Sequence, residues 1–207
     1  RETSEEIYIN YRGPCEVEST LSPTEGDGLG IRFCFSSVNQ VQLSNGKTKQ
    51  IGQLQLGDKV LTQNGHESIY SWSHYNAQKE AEFIQLLPSR IELSSHHLIF
   101  LENGVAMPAG TVKVGDTLLS GEVVTSIHSV IRRGVYAPFT NSGTIIVNGQ
   151  VASTFVSLQE KSNVLLLNGG WSTGISHQWL AYAFEVPHRL WCSYMECTNE
   201  SYTPDGI

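Results

Sequence analysis

Two adjacent histidines in the segment IELSSHHLIFLENG, residues 91–104, are candidates for acid–base chemistry. An unperturbed imidazole has a pKa of about 6.5, so it can give or take a proton at neutral pH. If the segment is a regular strand, Ser94 and His96 lie on one face and Ser95 and His97 on the other. One histidine is therefore predicted to point into the fold beside a small hydroxyl. A histidine in such a place is more often a core residue with satisfied hydrogen bonds than a catalytic one.

The chain has four cysteines, Cys15, Cys34, Cys192 and Cys197, and no C-x-x-C pair that would indicate zinc. Taken alone, Cys34 is either a buried small hydrophobic residue or half of a disulfide, for which Cys15 is the main candidate partner. Cys192 and Cys197 are close enough in sequence for a local disulfide. The even count, with the glycosylation acceptor triplet at Asn199, favours a secretory-pathway or extracellular location.

The composition limits the partners of these groups. Of the 207 residues, 40% are hydrophobic, which is enough for one sizeable core or two small ones. The 13 Lys and Arg against 20 Asp and Glu argue against a nucleic-acid surface, which would carry a basic stripe. No run approaches the roughly 18 apolar residues of a membrane span. We expect a monomer whose contact with a membrane comes only through a bound lipid.

The chain divides into three segments that differ in composition. Residues 1–33 are polar and rich in Gly and Pro, which predicts a partly ordered leader. From residue 34 to about 160, short runs of Val, Ile, Leu, Thr and Tyr alternate with Asn-Gly turn signals, which predicts an all-β domain. Residues 161–207 are aromatic. Within them, 172–192 could form a helix that Pro187 ends after Val186, and Trp179, Tyr182 and Phe184 are predicted to be core.

An internal repeat gives the strongest prediction of architecture. Shifting the chain by 58 residues lays residues 41–71 on 99–129, and ten of the 31 positions are identical. Four of the ten are Gly or Asp at turn positions, including the pairs Gly57/Gly115 and Asp58/Asp116, which we interpret as turns without an acid–base role. Two copies of one β-unit would pack about a pseudo-twofold axis, since neither copy can bury its own apolar face.

With a cysteine before the first copy and a histidine before the second, residues 34–191 resemble the Hint autoprocessing domain of hedgehog proteins, the relative of inteins. The stretches that carry the resemblance occur in the family's order: CFSS, IGQLQLGDKVLT, LSSHHLIF, VYAPFTNSGTIIVNGQVAS and SHQWLAYAFEVPHRL. A single match would mean little, but five in order across about 160 residues are a specific signal. The resemblance implies an all-β, pseudo-twofold Hint fold, followed by the start of a region that recognises a sterol or another lipid.

The resemblance also implies a reaction in which Cys34 attacks the carbonyl of Phe33 and converts the amide into a thioester. The departing amide nitrogen must be protonated, and His97 is the implied acid, with the Ser94 hydroxyl bonded to the amide that breaks. General acid–base catalysis contributes about 10²–10⁴-fold, so loss of His97 should nearly stop the reaction. In hedgehog proteins a sterol hydroxyl then takes the N-terminal product. The substrate here would be the chain's own N-terminal segment, without a metal or an organic cofactor.

Three positions depart from the family pattern. Phe33 stands where hedgehog proteins have Gly, and its bulk narrows the approach of a second nucleophile. His74 falls where the family has an Asp that activates the sterol hydroxyl, and Thr154 replaces a later cysteine. A histidine can act as a general base, so His74 completes the candidate catalytic set with Cys34, Ser94 and His97, while the acceptor stays open between a sterol-like hydroxyl and water.

Other classes of function compete with this interpretation. One is a Hint fold that has lost its activity and serves as a secreted interaction module. Another is an ordinary cysteine protease acting on other proteins. A third is a zinc hydrolase, although no H-E-x-x-H spacing occurs. Its ligands would come from His66, His74, His96 and His97.

Overall fold

The computed structural model describes residues 34–157, 163–167 and 171–195, and most of these residues lie in β-strands. Two helices follow the last of these strands, α1 (His177–Phe184) and α2 (Val186–Met195). The strands are β1 (Phe35–Ser36), β2 (Gln40–Gln42), β3 (Thr48–Gln50), β4 (Lys59–Thr62), β5 (Gly65–Ser68), β6 (Ser71–Leu87), β7 (Ile91–Leu93), β8 (His97–Phe100), β9 (Ala106–Pro108), β10 (Ser126–Phe139), β11 (Thr144–Val147), β12 (Gln150–Val156), β13 (Val164–Leu167) and β14 (Trp171–Ser176). The prediction of an all-β fold with a short helical C-terminal extension is confirmed.

The long strands β6 and β10 pair along almost their whole length and form the central antiparallel ribbon of the fold. The short strands β1 and β7 complete this ribbon into a closed barrel with the strand order β1-β10-β6-β7. A second sheet has the order β3-β2-β11-β12-β8-β9, and the pairs β4-β5 and β13-β14 form separate hairpins. Apolar side chains from the barrel and from the second sheet meet in one core cluster, which includes Phe35, Trp72, Leu93, Ile99 and Ile145.

The 58-residue repeat reappears in the backbone hydrogen bonds. In both copies, two backbone hydrogen bonds close the same tight turn. In both copies, an Asp carboxylate also accepts a hydrogen bond from the backbone N–H of the residue three positions before it. The matched bonds are Leu43 N–H to Lys47 and Leu101 N–H to Val105, Gly46 N–H to Leu43 and Gly104 N–H to Leu101, Gly52 N–H to Ser37 and Gly110 N–H to Ser95, and Gln55 N–H to Asp58 and Lys113 N–H to Asp116. Gly57 and Gly115 have φ of +84° and +96°, a region that favours glycine, which confirms these turns.

The two copies meet where β1 pairs with β7. The one Cα pair in this antiparallel contact is Phe35 with Leu93, two residues that are themselves 58 positions apart. A twofold axis between β1 and β7 therefore relates the copies. It makes three further pairs of positions equivalent, namely Cys34 with Glu92, Ser36 with Ser94 and Asn39 with His97.

The C-terminal extension differs from its predicted form. Residues 172–176 belong to β14, and the Ser176 hydroxyl caps α1 by accepting from the Trp179 N–H at 3.1 Å. The prediction that Pro187 ends a helix is wrong. Pro187 lies in the first turn of α2, where a missing N–H and a φ fixed near −65° are tolerated. Neither of these two helices is long and apolar enough to cross a membrane.

The aromatic side chains of α1 are not part of the core. Trp179, Tyr182 and Phe184 are 59%, 38% and 51% exposed, so the prediction that they are buried is wrong. Trp171 in β14 and Trp191 in α2 are exposed as well. The extension therefore presents an aromatic surface outside the main core.

Candidate active site

Cys34 and Ser94 are joined by two hydrogen bonds, one to the Ser94 side chain and one between the backbones. The Cys34 N–H donates to the Ser94 hydroxyl at 2.9 Å, and the Ser94 N–H donates to the Cys34 carbonyl at 2.9 Å. Both residues are fully buried, because the pairing of β1 with β7 continues from Phe35 and Leu93 to these neighbours. The sulfur of Cys34 is a thiol and not part of a disulfide, so the alternative pairing with Cys15 is wrong.

A tight turn brings His97 to the same side as Ser94. The His97 N–H donates to the Ser94 carbonyl at 3.0 Å, and β8 begins only at His97. Ser94 and His97 are both fully buried while Ser95 is exposed, so the predicted alternation along a regular strand is wrong. The His97 ring packs on the Phe35 ring with 4.1 Å between centroids. The residue next to the cysteine thus supports the imidazole.

His97 is held in one tautomer and in the neutral form. Its Nε2–H donates to the Ser153 carbonyl at 2.8 Å, which leaves Nδ1 as the acceptor nitrogen. Nδ1 has no hydrogen-bond partner among the described residues. Burial lowers the pKa of His97 to about 4. The hydrogen bond to Ser153 raises the pKa, but its effect is smaller than that of burial. At neutral pH the side chain is therefore a base with an available lone pair, and not the ready-made acid that a pKa of about 6.5 implied.

His74 lies on the same face of the barrel as Cys34. It pairs with Ala137 across β6 and β10, and Cys34 packs with Ala137 and Val135 in a small apolar cluster. Cross-strand neighbours share a face of the sheet, so on this face the side chain of Ala137, on β10, lies between those of Cys34 and His74. His74 is 2% exposed, and neither ring nitrogen has a hydrogen-bond partner in the described part of the chain.

The structure also describes three of the remaining candidate positions. The buried Thr154 hydroxyl also lacks a partner among residues 34–157, 163–167 and 171–195. His96 is half-buried, with Nδ1 2.9 Å from the Ser95 hydroxyl. Cys192 is disulfide-bonded. Phe33, Cys15, Cys197 and Asn199 lie outside the described residues.

Zinc ligation is not supported by the positions of the histidines. His66 is exposed on β5, whereas His74 and His97 are buried on β6 and β8. Within the described ranges, no three His, Cys, Asp or Glu side chains converge in a way that could hold a metal ion.

The pseudo-twofold partner of this site is an ion pair between a buried carboxylate and a partly exposed guanidinium, which the sequence pattern did not indicate. Glu92, equivalent to Cys34, is 1% exposed and receives two-pronged hydrogen bonds from Arg132 at 2.7–3.1 Å. Ser36 donates to the same carboxylate at 2.6 Å, and the Asn39 side chain bonds both backbone groups of Glu92. Extending the repeat seven residues upstream, from 41 back to 34, would have aligned these residues with Cys34, Ser94 and His97.

A second polar cluster fastens α2 to the barrel. The buried Glu185 carboxylate accepts from His188 Nδ1 at 2.5 Å and from the Tyr70 hydroxyl at 3.1 Å. His188 Nε2 lies 3.3 Å from the Ser71 hydroxyl. Serine, histidine and glutamate follow one another here as in hydrolase triads. Ser71 is fully buried, however, so no substrate can reach it, and we interpret the cluster as a structural contact.

Comparison with known proteins identifies the class of this fold and site. A family model described as the Hint module matches residues 25–167, well over half of the chain. A bacterial intein-like domain from Clostridium thermocellum superposes with a TM-score of 0.50 at 19% identity, covering 58% of this chain and 98% of that domain. This likeness shows the fold. The chain belongs to the Hint family, the hedgehog- and intein-type self-processing domains.

Within that class, the similar curated relatives include hedgehog and warthog proteins. The Tiggy-winkle hedgehog protein of Danio rerio is 26% identical over 229 residues, covering 97% of this chain and 51% of that protein. The hedgehog protein of Drosophila erecta is 31% identical over 179 residues, covering 75% of this chain and 38% of the relative. The chain thus spans about half or less of the length of these relatives.

Proposed function

We propose that this chain cuts its own backbone between Phe33 and Cys34 by an N-to-S acyl shift. The observation that carries the proposal is the hydrogen bond from the Cys34 N–H to the Ser94 hydroxyl, beside the neutral, buried imidazole of His97. The nitrogen of the bond to be broken is thus held within a site that contains a thiol and a base. The proposed chemistry uses no metal and no organic cofactor.

The reaction needs one proton to move from sulfur to nitrogen. His97 Nδ1 takes the proton of the Cys34 thiol, and the sulfur attacks the carbonyl carbon of Phe33. As the carbon–nitrogen bond breaks, the imidazolium returns the proton to the departing nitrogen, which becomes the amino group of Cys34. The amide has become a thioester with no net gain or loss of protons. A pKa of about 4 makes the imidazolium a stronger acid than an ordinary one at the moment when the nitrogen needs a proton.

Ser94 orients the amide during this step. Its hydroxyl accepts from the Cys34 N–H, and its own N–H fixes the carbonyl on the other side of Cys34. Both sides of Cys34 are therefore held while the thiol approaches the Phe33 carbonyl. Positioning of reacting groups is worth several kcal/mol in favourable cases, so truncation of Ser94 should slow cleavage without abolishing it.

For the second step, we propose that His74 activates a hydroxyl acceptor. Cys34 and His74 lie on either side of β10, and two strands with one strand between them are about 10 Å apart. This separation leaves room for a small group between the two side chains. The acceptor O–H gives its proton to His74 and its oxygen attacks the thioester carbon. The carbon–sulfur bond then breaks, and the leaving Cys34 thiolate takes that proton back from His74. The acceptor is a sterol-like alcohol, or water when none is bound, and the exposed aromatic surface of the extension offers an apolar contact for it.

The experiment follows the intact mass of the 207-residue chain with and without added dithiothreitol or hydroxylamine. The wild type should release a fragment that begins at Cys34, and faster with either nucleophile. Cys34→Ala should stay uncut, and His97→Ala should lose about 10²–10⁴-fold in rate. His74→Ala should keep the thiol-induced cut and lose transfer to an alcohol. His66→Ala, an exposed histidine, is the matched control and should behave as the wild type.

An inactive Hint fold that serves as a binding module is the second candidate. The bulky Phe33 before the nucleophile and the exposed aromatic residues of the extension favour it. A folded wild-type chain that stays uncut in the presence of either nucleophile would support this candidate and contradict self-cleavage. With either function, the hedgehog-type relatives and the disulfide at Cys192 favour the secretory pathway or the cell exterior as the location.

A further inference from the structure

Helix α1 is hydrogen-bonded to β12, the strand whose Ser153 carbonyl accepts from His97. The side-chain amide of Gln178, in the first turn of α1, contacts two backbone segments at once. Its nitrogen donates to the Gly143 carbonyl at 3.0 Å, and its oxygen accepts a hydrogen bond from the Ser153 hydroxyl. Ser153 is the residue whose carbonyl accepts from His97 Nε2. A single side chain therefore joins the extension to the partner of His97.

The residue before Gln178 makes a second contact on the other side of His97. His177 is fully buried, and its Nδ1 lies 2.6 Å from the Ser157 hydroxyl. The Ser157 N–H donates in turn to the carbonyl of His96 at 3.0 Å. The start of α1 is thus bonded to β12 at Ser153 and to the residue just after β12, and these two points flank the pairing of β12 with the start of β8.

The Ser153 carbonyl has a specific task in the proposed acyl shift. Because it accepts from Nε2–H, it selects the tautomer in which Nδ1 carries the lone pair and it sets the direction of the ring. Ser153 itself is held by its side chain, since its hydroxyl accepts from the Phe155 N–H at 2.7 Å and donates to Gln178. Without Gln178, one of the two bonds that hold this hydroxyl in place is lost.

We propose that Gln178 is a positioning residue for His97, so that the C-terminal extension is part of the machinery of the first chemical step. The inference rests on the proposed self-cleavage. It goes beyond that function because α1 lies outside residues 25–167, which the family model matches. The chemistry of the step stays with Cys34 and His97, and Gln178 acts on it through Ser153.

A double-mutant cycle in the full 207-residue chain tests the proposal. The rate of dithiothreitol-induced cleavage is measured for the wild type, Gln178→Ala, Ser153→Ala and the double variant, at thiol concentrations where the rate no longer depends on thiol. A misplacement of about 1 Å can cost about 10²-fold in rate, so we expect each single variant to be 10- to 100-fold slower, and the double variant to be no slower than the slower single one. Multiplicative losses would overturn the coupling through Ser153.

The matched control is Arg189→Ala, which removes contacts of the same extension without touching Ser153. Arg189 donates to the carbonyls of Asn141 and Tyr182 and lies over the Tyr182 ring. This variant should cleave within twofold of the wild type. If Gln178→Ala also cleaves within twofold while folded, Gln178 does not position His97 and the inference is wrong.

A second readout separates this inference from the proposed function. Nitrogen-15 NMR of His97 reports which ring nitrogen carries the proton, and it can be recorded on uncut chain in the Cys34→Ala background. The Nε2–H form should dominate with Gln178 present, and the Nδ1–H form should gain population in Gln178→Ala. An unchanged tautomer would overturn the inference even if the wild type cleaves. A wild type that does not cleave would contradict the proposed function, while the tautomer would still test the role of Gln178.

Discussion

The neutral state of His97 predicts a specific acid sensitivity of the folded state. Its pKa is about 4 in the folded protein and about 6.5 in an unfolded chain. The folded state therefore binds fewer protons than the unfolded state between these two values. The contribution of His97 to stability is fully present above pH 6.5 and is lost as the pH falls from 6.5 towards 4.

The magnitude follows from the two pKa values. A shift of this size corresponds to about 3 kcal/mol in total. Between pH 7 and pH 5 the loss from His97 alone should be about 2 kcal/mol, and most of the total should be lost by pH 4.5. Because a small domain has a stability of roughly 5–15 kcal/mol, this loss should be visible as a large shift of a urea unfolding transition.

The assay compares two proteins that differ only in this titration. Urea unfolding is measured at pH 7, 6, 5 and 4.5 for Cys34→Ala, which cannot cleave, and for Cys34→Ala combined with His97→Gln. Glutamine is similar in size, and its amide can still donate towards Ser153, but it does not titrate. All other groups cancel in the comparison, so the glutamine variant should lose about 2 kcal/mol less stability between pH 7 and pH 5.

Equal losses in the two proteins would refute the reasoning, because they would mean that His97 is protonated as easily when folded as when unfolded. The rate of the first step gives an independent check on the same pKa. If neutral His97 is the base, cleavage at thiol concentrations where the rate no longer depends on thiol should stay constant from pH 7 down to about 5. A rate that rises as the pH falls through 6.5 would instead indicate a preformed imidazolium acid.

Two further predictions concern stability. Arg132→Met should destabilise the fold by about 3 kcal/mol, measured as a shift in urea midpoint, because it leaves the buried Glu92 carboxylate without its cation; a loss below 1 kcal/mol would mean that neutral donors are sufficient there. Gly143→Ala should cost roughly 2–4 kcal/mol, since φ is +70° and the added methyl group would collide with the Phe155 ring. Gly46→Ala, with φ of +77° and open space around it, should cost only about 1 kcal/mol, and equal losses at the two glycines would contradict the steric argument.

Turn residues and the 58-residue repeat were enough to predict an all-β, pseudo-twofold arrangement. The turn residues Gly57, Asp58, Gly115 and Asp116 repeat at a fixed spacing, and backbone geometry at such turns restricts the residue type regardless of the surroundings. Apolar residues between the turns reveal strands because burial on one face imposes alternation. The repeat could therefore be recognised without knowing how its two copies meet.

The members of the candidate site could be named from the sequence, but their relations could not. Cys34 and Ser94 are 60 residues apart, and they bond to each other because β1 pairs with β7 along the pseudo-twofold axis. A four-residue turn, and not a regular strand, brings His97 to the side of Ser94. Strand alternation fails there because the chain bends before β8 begins.

In the C-terminal extension, the sequence pattern predicted neither the helix boundaries nor the burial of the aromatic side chains. Pro187 lies in the first turn of α2, whereas the sequence pattern predicted that it would end a preceding helix, because a proline suits the first turn of one helix as well as the boundary after another. Trp179 and Tyr182 look like core residues by type, yet they are exposed, since burial depends on what packs against a helix and not on the side chain alone.

The amino-acid sequence alone shows which residue types are available for chemistry and reveals the repeated β-unit that carries them. The protonation state and the tautomer of these residues depend on the folded structure. The pKa of about 4 for His97 arises from full burial, and its tautomer from the Ser153 carbonyl 56 residues away. Both are sums over groups brought together by long-range packing. The same packing bonds Gln178 to Ser153 and makes Glu92 with Arg132, on the other side of the axis, an ion pair where the equivalent position holds a thiol.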